Sequence, residues 1–480
     1  MNNTASLLAR FVDETRFEDL PPELVEEAKR LLMDSLGCAM AGTGTQKGQI
    51  ALTFAGSYSS PAEATIIGAR EKAPAPLASF VNGELLNAMD YEALCAPCGH
   101  ITPYVLAAPL AVAECRNVSG QDLITAIVIS HEIAQRVSAG LVIPGQLSKK
   151  TLEKGISLQL PIHGYGMNIF GGIAGAAKIA GLTAEQMEHA FGIGATLCPV
   201  PTLMQFAETV PASMAKFSPS GWISQAAVTA VLLAGLGYTG AHNVLDGEFA
   251  FWKSFAATGW NPEVVLTGLG RLWFFSDAVS YKKYPCCGAM HGHLDIFCAI
   301  VSKFDIEPED IKELNIVLNL LGELALWKNR TIGNQIDAQF STAYVFAVAA
   351  HRIEIGHRWL EKETYESPTV VELMKKINVF TPATSHYDGR RSAVEVVVRD
   401  KNTKKETRYT EKDVRPVSGI MNDQELYTKF EKNAAHLLSQ EEVEQALKTI
   451  LSLTELENVS QLMRQFRKPA NTMDARSSRC

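Results

Sequence analysis

The sequence is short of basic charge: 44 lysines and arginines face 52 aspartates and glutamates, leaving a formal net charge of −8 and a pI near 5.8. A surface of that sign lacks the electrostatic footprint of a nucleic-acid binder, so no nucleic-acid partner is expected. A small anionic substrate would need a locally cationic pocket. Cysteines are few and poorly placed for staples. Nine stand along 480 residues, an odd count with one adjacent pair, which excludes a disulfide scaffold and points to a reducing, cytoplasmic setting. The N-terminus, MNNTASLLARFVDETRF, has no basic n-region, and Arg10 and Asp13 interrupt its apolar stretch, so no signal peptide is read there. Long apolar runs are also missing. Residues 217–245 carry no Asp, Glu, Lys or Arg, yet Ser218, Pro219, Ser220, Ser224, Gln225 and Thr229 break one half and Gly235, Gly237 and Gly240 the other. That stretch, like 155–177, is read as a core helix buried on every side, not as a membrane span, so no membrane partner is expected. Nor is there a dinucleotide fingerprint: Gly164-Tyr165-Gly166 is a fragment of one, with no strand before it.

What is present is helix. At 47% hydrophobic and 20% charged, the chain is an ordinary folded protein, too long for one core, so two domains are expected. Residues 20–40 carry the clearest pattern. Pro21 and Pro22 open it, acids fill the first turn, and Leu24, Ala28, Leu31, Leu32, Ser35 and Leu36 share a face. Further helices are expected over 76–90, 104–115, 121–138, 183–196, 222–236 and 339–351, with no alternating strand run before about 270. The texture then changes. Residues 313–321 alternate, 393–400 and 401–412 read as a hairpin, and helical patterns cover 287–303 and 369–377. The fold expected is mainly α: an all-α domain over 1–275, an α+β lid domain over 276–415, C-terminal helices over 416–466 returning to the first domain, and a flexible tail over 467–480.

Polar residues in apolar surroundings mark where chemistry belongs. Asp90-Tyr91-Glu92 precedes Cys95, Cys98 and His100 between two helical patterns. A C-x-x-C pair is half a zinc site, and no second half follows at a standard spacing, so no metal is assigned. The loop is either a proton-handling site through Asp90 and His100 or a plain interhelical connection. His163, before two glycines, is either a core histidine or a catalyst. Lys216 stands at the mouth of the uncharged helix, where a lysine is costly unless it meets an anion. Ser213-x-x-Lys216 lacks the partner motifs of serine acyl-transferases. Tyr281, Lys282, Lys283, Tyr284, His291 and His293 crowd the start of the α+β region. Asp337, Gln339 and Ser341 lie at a helix start, where Ser341 or Asp337 either caps or helps to hold a carboxylate. Together these lysines, histidines and acids indicate proton transfer beside a carboxylate, the opening step shared by elimination, decarboxylation and epimerisation.

Longer blocks carry a resemblance: LPPELVEEAKRLLMDSLGCAMAG near the start, ASFVNGELLNAMDY at 78–91, GGIAGAAKIAGLT at 171–183, YKKYPCCGAMHG at 281–292, DAQFSTAYVFAVA at 337–349 and RPVSGIMNDQELYTKF at 415–430. The chain resembles the MmgE/PrpD superfamily nearly end to end, a family that includes 2-methylcitrate dehydratase, cis-aconitate decarboxylase and iminodisuccinate epimerase. The resemblance implies a helical domain built from both chain ends, an inserted α+β lid, a homodimer, and a cofactor-free site in the interdomain cleft. Matched residue by residue, it implies catalytic roles for Asp90, His100, His163, Lys216 and Lys282 and places His291 in the lid motif. Tyr281, Gln339 and Ser341 join His291 as candidates for substrate binding. The family's Asp-Phe-Asp-Asp-Thr run reads Asp90-Tyr91-Glu92-Ala93-Leu94 here, and the histidine between its lysine and glycine is replaced by Ser218, Pro219 and Ser220. The expected activity is a cofactor-independent lyase, a dehydratase or decarboxylase of a small citrate- or aconitate-like polycarboxylate. His100 or His163 would be acid/base, Asp90 would orient the histidine or share its proton, and the lysines would bind carboxylates. The alternatives are a dicarboxylate epimerase using the same proton abstraction, and a non-catalytic family member.

Overall fold

The structure, a computed structural model, describes residues 3–58, 61–95, 99–142, 164–200, 202–255, 257–275, 279–318, 320–381, 393–399, 403–412, 414 and 421–468. The prolines at 21 and 22 start a helix as expected, Pro22–Gly42 (α1), followed by Ala75–Leu86 (α2), Ala107–Arg116 (α3), Gly120–Gly140 (α4), Ile169–Ala180 (α5), Ala184–Leu197 (α6) and Ser220–Gly235 (α7). Small residues decide how closely these pack. A Cβ on Gly175 of α5 would stand 1.9 Å from the Ser130 hydroxyl of α4, and one on Gly171 would stand 2.2 Å from the Ser130 carbonyl. The two helices therefore approach at backbone distance, and any larger side chain there would drive them apart.

The α+β region contributes His291–Lys303 (α8), Thr342–Ala350 (α9) and Pro368–Met374 (α10) around a four-stranded sheet. Its strands are Ile311–Val317 (β1), Ile377–Phe380 (β2), Ala393–Arg399 (β3) and Glu406–Lys412 (β4), in the order β4-β3-β1-β2. β2 runs parallel to β1; the other pairings are antiparallel, with Arg399 opposite Glu406. β4 is a charged, exposed edge, a composition that discourages pairing with another chain. Asp423–Ala434 (α11) and Gln440–Leu451 (α12) then close the chain.

The C-terminal elements lie on the N-terminal ones. α11 packs along α1, where Gly37 faces Phe430. The amide of Gly120 donates to the Leu456 carbonyl at 2.8 Å, and that of Val459 donates to Val118 at 2.9 Å.

Three expectations need correction. The region before 275 is not wholly α: Ala64–Thr65 pairs with Lys72–Ala73, Leu141–Val142 with Gly259–Trp260, and Leu94–Cys95 with Val279–Ser280. Two-residue ladders are too short to show alternation. α7 is not buried on every side, since Trp222 is 52% and Leu232 41% exposed. The helix expected over 369–377 ends at Met374, and Ile377–Phe380 joins the sheet instead. Most of the expected tail, 469–480, falls outside the described residues. Among the described residues no helix is long and apolar enough to cross a membrane, and the seven described cysteines are free thiols.

Candidate functional site

The site grows from the end of α2. Gly83 and Gly221 meet so closely that a Cβ on Gly83 would lie 2.9 Å from the Gly221 Cα, and the Gly221 amide donates to Glu84 at 2.7 Å. This contact holds the start of α7 against α2, so Lys216, in the approach to α7, reaches past it. Its Nζ donates to the Asn87 carbonyl at 2.6 Å and to Asp90 Oδ1 at 3.3 Å. From the other side, the ladder pairing Leu94 with Ser280 brings in the start of the α+β region. Lys282 Nζ then donates to Asp90 Oδ2 at 2.5 Å and to its carbonyl at 2.6 Å. Two ammonium groups separated by 66 positions in sequence thus converge on one buried carboxylate, and both lysines are themselves buried.

Asp90 and Lys216 are both non-glycine residues in the left-handed region, at φ +54° and +51°. Each such residue costs on the order of 1 kcal/mol, and their mutual contacts offset it. Burial opposes charge on Asp90, but Lys282, Lys216 and His100 outweigh it and hold the carboxyl far below its ordinary range. Burial pulls Lys216 down to about 8 despite Asp90. Burial also acts on Lys282, but Asp90 and Glu92 overcome it and raise its pKa.

His100 completes the cluster. Its Nδ1 lies 2.7 Å from Glu92 Oε1, while its Nε2 stands 4.0 Å from Asp90 Oδ1. Phe217 and Tyr165 flank its ring at centroid distances of 4.7 and 5.5 Å. Glu92 also accepts from Asn87 Nδ2 at 2.6 Å. Although burial disfavours its charge, the hydrogen bond and charge of His100 hold it down to about 2. Asp90, Glu92 and His100 are close enough to share a cation. Both Asp90 oxygens already face ammonium groups, however, so an ion there would confront two like charges, and the donor set fits a metal poorly.

The other sequence candidates divide. Gln339 borders the cluster, donating at 2.8 Å to the Ala88 carbonyl; its Oε1 is buried without a hydrogen-bond partner among the described residues. Ser341 caps α9 through the Tyr344 amide and donates to Asn329. The Tyr281 hydroxyl is turned toward α1, where it donates to Glu27 at 2.6 Å. His291 Nε2 faces the Cys286 carbonyl at 3.3 Å; burial and then Lys282 push its pKa down to about 3. His163 and Cys98 lie outside the described residues.

Glu92, Asn87 and Lys429 are site groups that the sequence patterns do not single out, although Glu92 sits in the Asp90-Tyr91-Glu92 run. Lys429 of α11 has no local signal. Its Nζ donates at 2.8 Å to the carbonyl of Tyr91, pairs with Asp34 at 2.6 Å and lies 3.9 Å over the Tyr91 ring.

Residues 6–263 match the MmgE/PrpD N-terminal domain, and residues 284–454 match the MmgE/PrpD C-terminal domain. The chain is 23% identical to cis-aconitate decarboxylase of Mus musculus, over 98% of this chain and 94% of that protein. It is 25% identical to cis-aconitate decarboxylase of Aspergillus terreus (strain NIH 2624 / FGSC A1156), over 95% and 94%, and 24% identical to that of Homo sapiens, over 94% and 92%.

Proposed function

We propose, from the premise that this chain belongs to the MmgE/PrpD family, that it is a lyase removing CO₂ or water from a small polycarboxylate of aconitate or citrate type. Decarboxylation is the favoured branch. The observation that carries this reading is the pair of buried ammonium groups, Lys216 and Lys282, meeting at Asp90 beside His100. In a protein of net charge −8, such a group is where an anionic substrate finds cations. The named activity of the relatives above points to the decarboxylation branch.

The chemistry follows from the charges. A substrate carboxylate shares the two lysines with Asp90. When the bond to a departing CO₂ breaks, its electron pair passes through the adjacent double bond to the carbon beside a remaining carboxylate, forming an enediolate. The ammonium groups stabilise that charge in a site shielded from water. His100 delivers one proton to that carbon, balancing the loss of CO₂, and regains it from solvent. On the dehydration branch the same groups would abstract a proton and assist a departing hydroxide. Domain limits at 275 and 415, a cleft between the two bodies and a homodimer complete the proposal.

Proton NMR of the chelator-treated enzyme in D₂O tests it, with 2-methylcitrate, citrate, cis-aconitate, itaconate and iminodisuccinate as candidates. Loss of CO₂ from cis-aconitate with deuterium entering the product supports decarboxylation. Loss of water from a citrate moves the assignment to the other branch. Deuterium exchange without elimination replaces the lyase by an epimerase, and no change in any compound overturns the reading.

A further inference from the structure

Within the loop that holds Asp90, two acids compete for His100. Asp90 Oδ2 is taken by Lys282 at 2.5 Å and Oδ1 by Lys216 at 3.3 Å, and the imidazole is 4.0 Å away. Among the described residues no lysine pairs directly with Glu92, although Lys282 acts on its charge from behind Asp90. Glu92 Oε1 lies 2.7 Å from His100 Nδ1 and accepts from the Asn87 side-chain Nδ2, while the Asn87 backbone carbonyl receives Lys216. We propose that Glu92, not Asp90, is the residue that positions His100: it fixes the proton on Nδ1 and leaves Nε2 as the nitrogen that exchanges a proton with substrate. This rests on the proposed lyase reading for its catalytic meaning, but not for its geometry.

Three observations converge. A carboxylate on one ring nitrogen selects the tautomer with hydrogen on that nitrogen. The second nitrogen points to the side where Asp90 and the two ammonium groups lie, so a substrate carboxylate bound there meets Nε2. Finally, Phe217 and Tyr165 flank the ring and restrain it from exchanging its two nitrogens, while Asn168 Nδ2 anchors the main chain by donating to the His100 carbonyl at 2.9 Å. Among the described residues, the titratable groups around the imidazole are Glu92 and Asp90 from its own loop, Tyr165 with its ring edge-on, and Lys216 and Lys282 behind Asp90.

The test uses the full-length protein with ¹⁵N-labelled histidine, assigning the His100 signals by their loss in His100→Asn. The neutral wild-type ring should carry its hydrogen on Nδ1. In Glu92→Gln the neutral ring should shift toward the Nε2–H tautomer, while melting temperature and circular dichroism change little. With cis-aconitate as substrate, kcat should fall roughly 10²-fold or more with KM nearly held. A neutral wild-type ring protonated on Nε2, or a Glu92→Gln variant with the wild-type tautomer and the wild-type kcat, overturns the inference. If Glu92→Gln does not fold, the wild-type tautomer alone decides. An Nδ1–H ring in a wild-type protein that turns over no polycarboxylate would sink the lyase reading and uphold the positioning role.

Discussion

Single residues in this molecule are tuned by partners remote in sequence. Lys216 has its pKa drawn to about 8 because burial outweighs Asp90, so it holds its proton only below the usual range for lysine. If its ammonium binds substrate, kcat/KM should decline above about pH 8, and in Lys216→Arg that limb should move beyond the accessible range. Lys216→Met should abolish turnover. Because Lys282 still neutralises Asp90, its melting temperature should fall by only a few degrees. A collapse of the fold instead would make Lys216 a structural lysine. Three buried histidines act on stability. Burial holds His131 and His293 near 4 and His291 near 3, all below the ordinary 6.5. Their folded values are depressed, so the stability they contribute is complete above pH 6.5 and is lost as pH falls toward 3–4, because the unfolded chain takes up protons first. Melting temperature followed from pH 8 to 4 should therefore be nearly flat above pH 7 and then drop, with Glu92 and Asp90, also depressed, adding to the fall as pH approaches their ordinary values of 4.5 and 3.8.

At the scale of elements, the clearest dependence is on Arg136 of α4. It is fully buried and donates to Glu132 at 2.5 Å and to the carbonyls of Val265, Thr267 and Leu272. Glu132 in turn accepts from the amides of Phe274 and Phe275. The segment 265–275 has little regular structure, so this ion pair supplies hydrogen bonds that a helix or sheet would otherwise provide. Arg136→Met leaves Glu132 buried without its counter-charge, its pKa pushed further up by burial, and several carbonyls unsatisfied, a loss of about 3–5 kcal/mol. Urea unfolding of that variant should show a lower midpoint, and the 265–275 amides should lose protection from hydrogen exchange. Element boundaries were legible where side chains announce them: the prolines at 21 and 22 opening α1, and the run over 393–400, read as a hairpin arm, which is β3. β2 was not legible. Four residues at the end of a helical pattern carry no signal of their own and become a strand because β1 lies beside them.

At the scale of the whole molecule, α11 closes the chain onto its own beginning through Lys429, Asp34 and Tyr91. Burial pushes the Asp34 carboxyl up against the pull of Lys429, so the pair is a costly one to maintain. Lys429→Met should lower both melting temperature and turnover. In Lys429→Met/Asp34→Leu, which removes both charges, melting temperature should recover while turnover stays depressed, because the carbonyl between Asp90 and Glu92 still lacks its donor. Recovery of both would reduce Lys429 to a fold anchor.

What the sequence determined alone was the helical character, the family, and most of the groups that meet at the site: Asp90, His100, Lys216 and Lys282 lie in local patterns dense enough to read. Only the tertiary structure decided how they are paired. Side-chain type says which groups can share a proton or a charge, but which do so depends on distances of a few ångströms between segments far apart in the chain. Lys282 occupies Asp90 because a two-residue ladder brings it there, and His100 is left to Glu92.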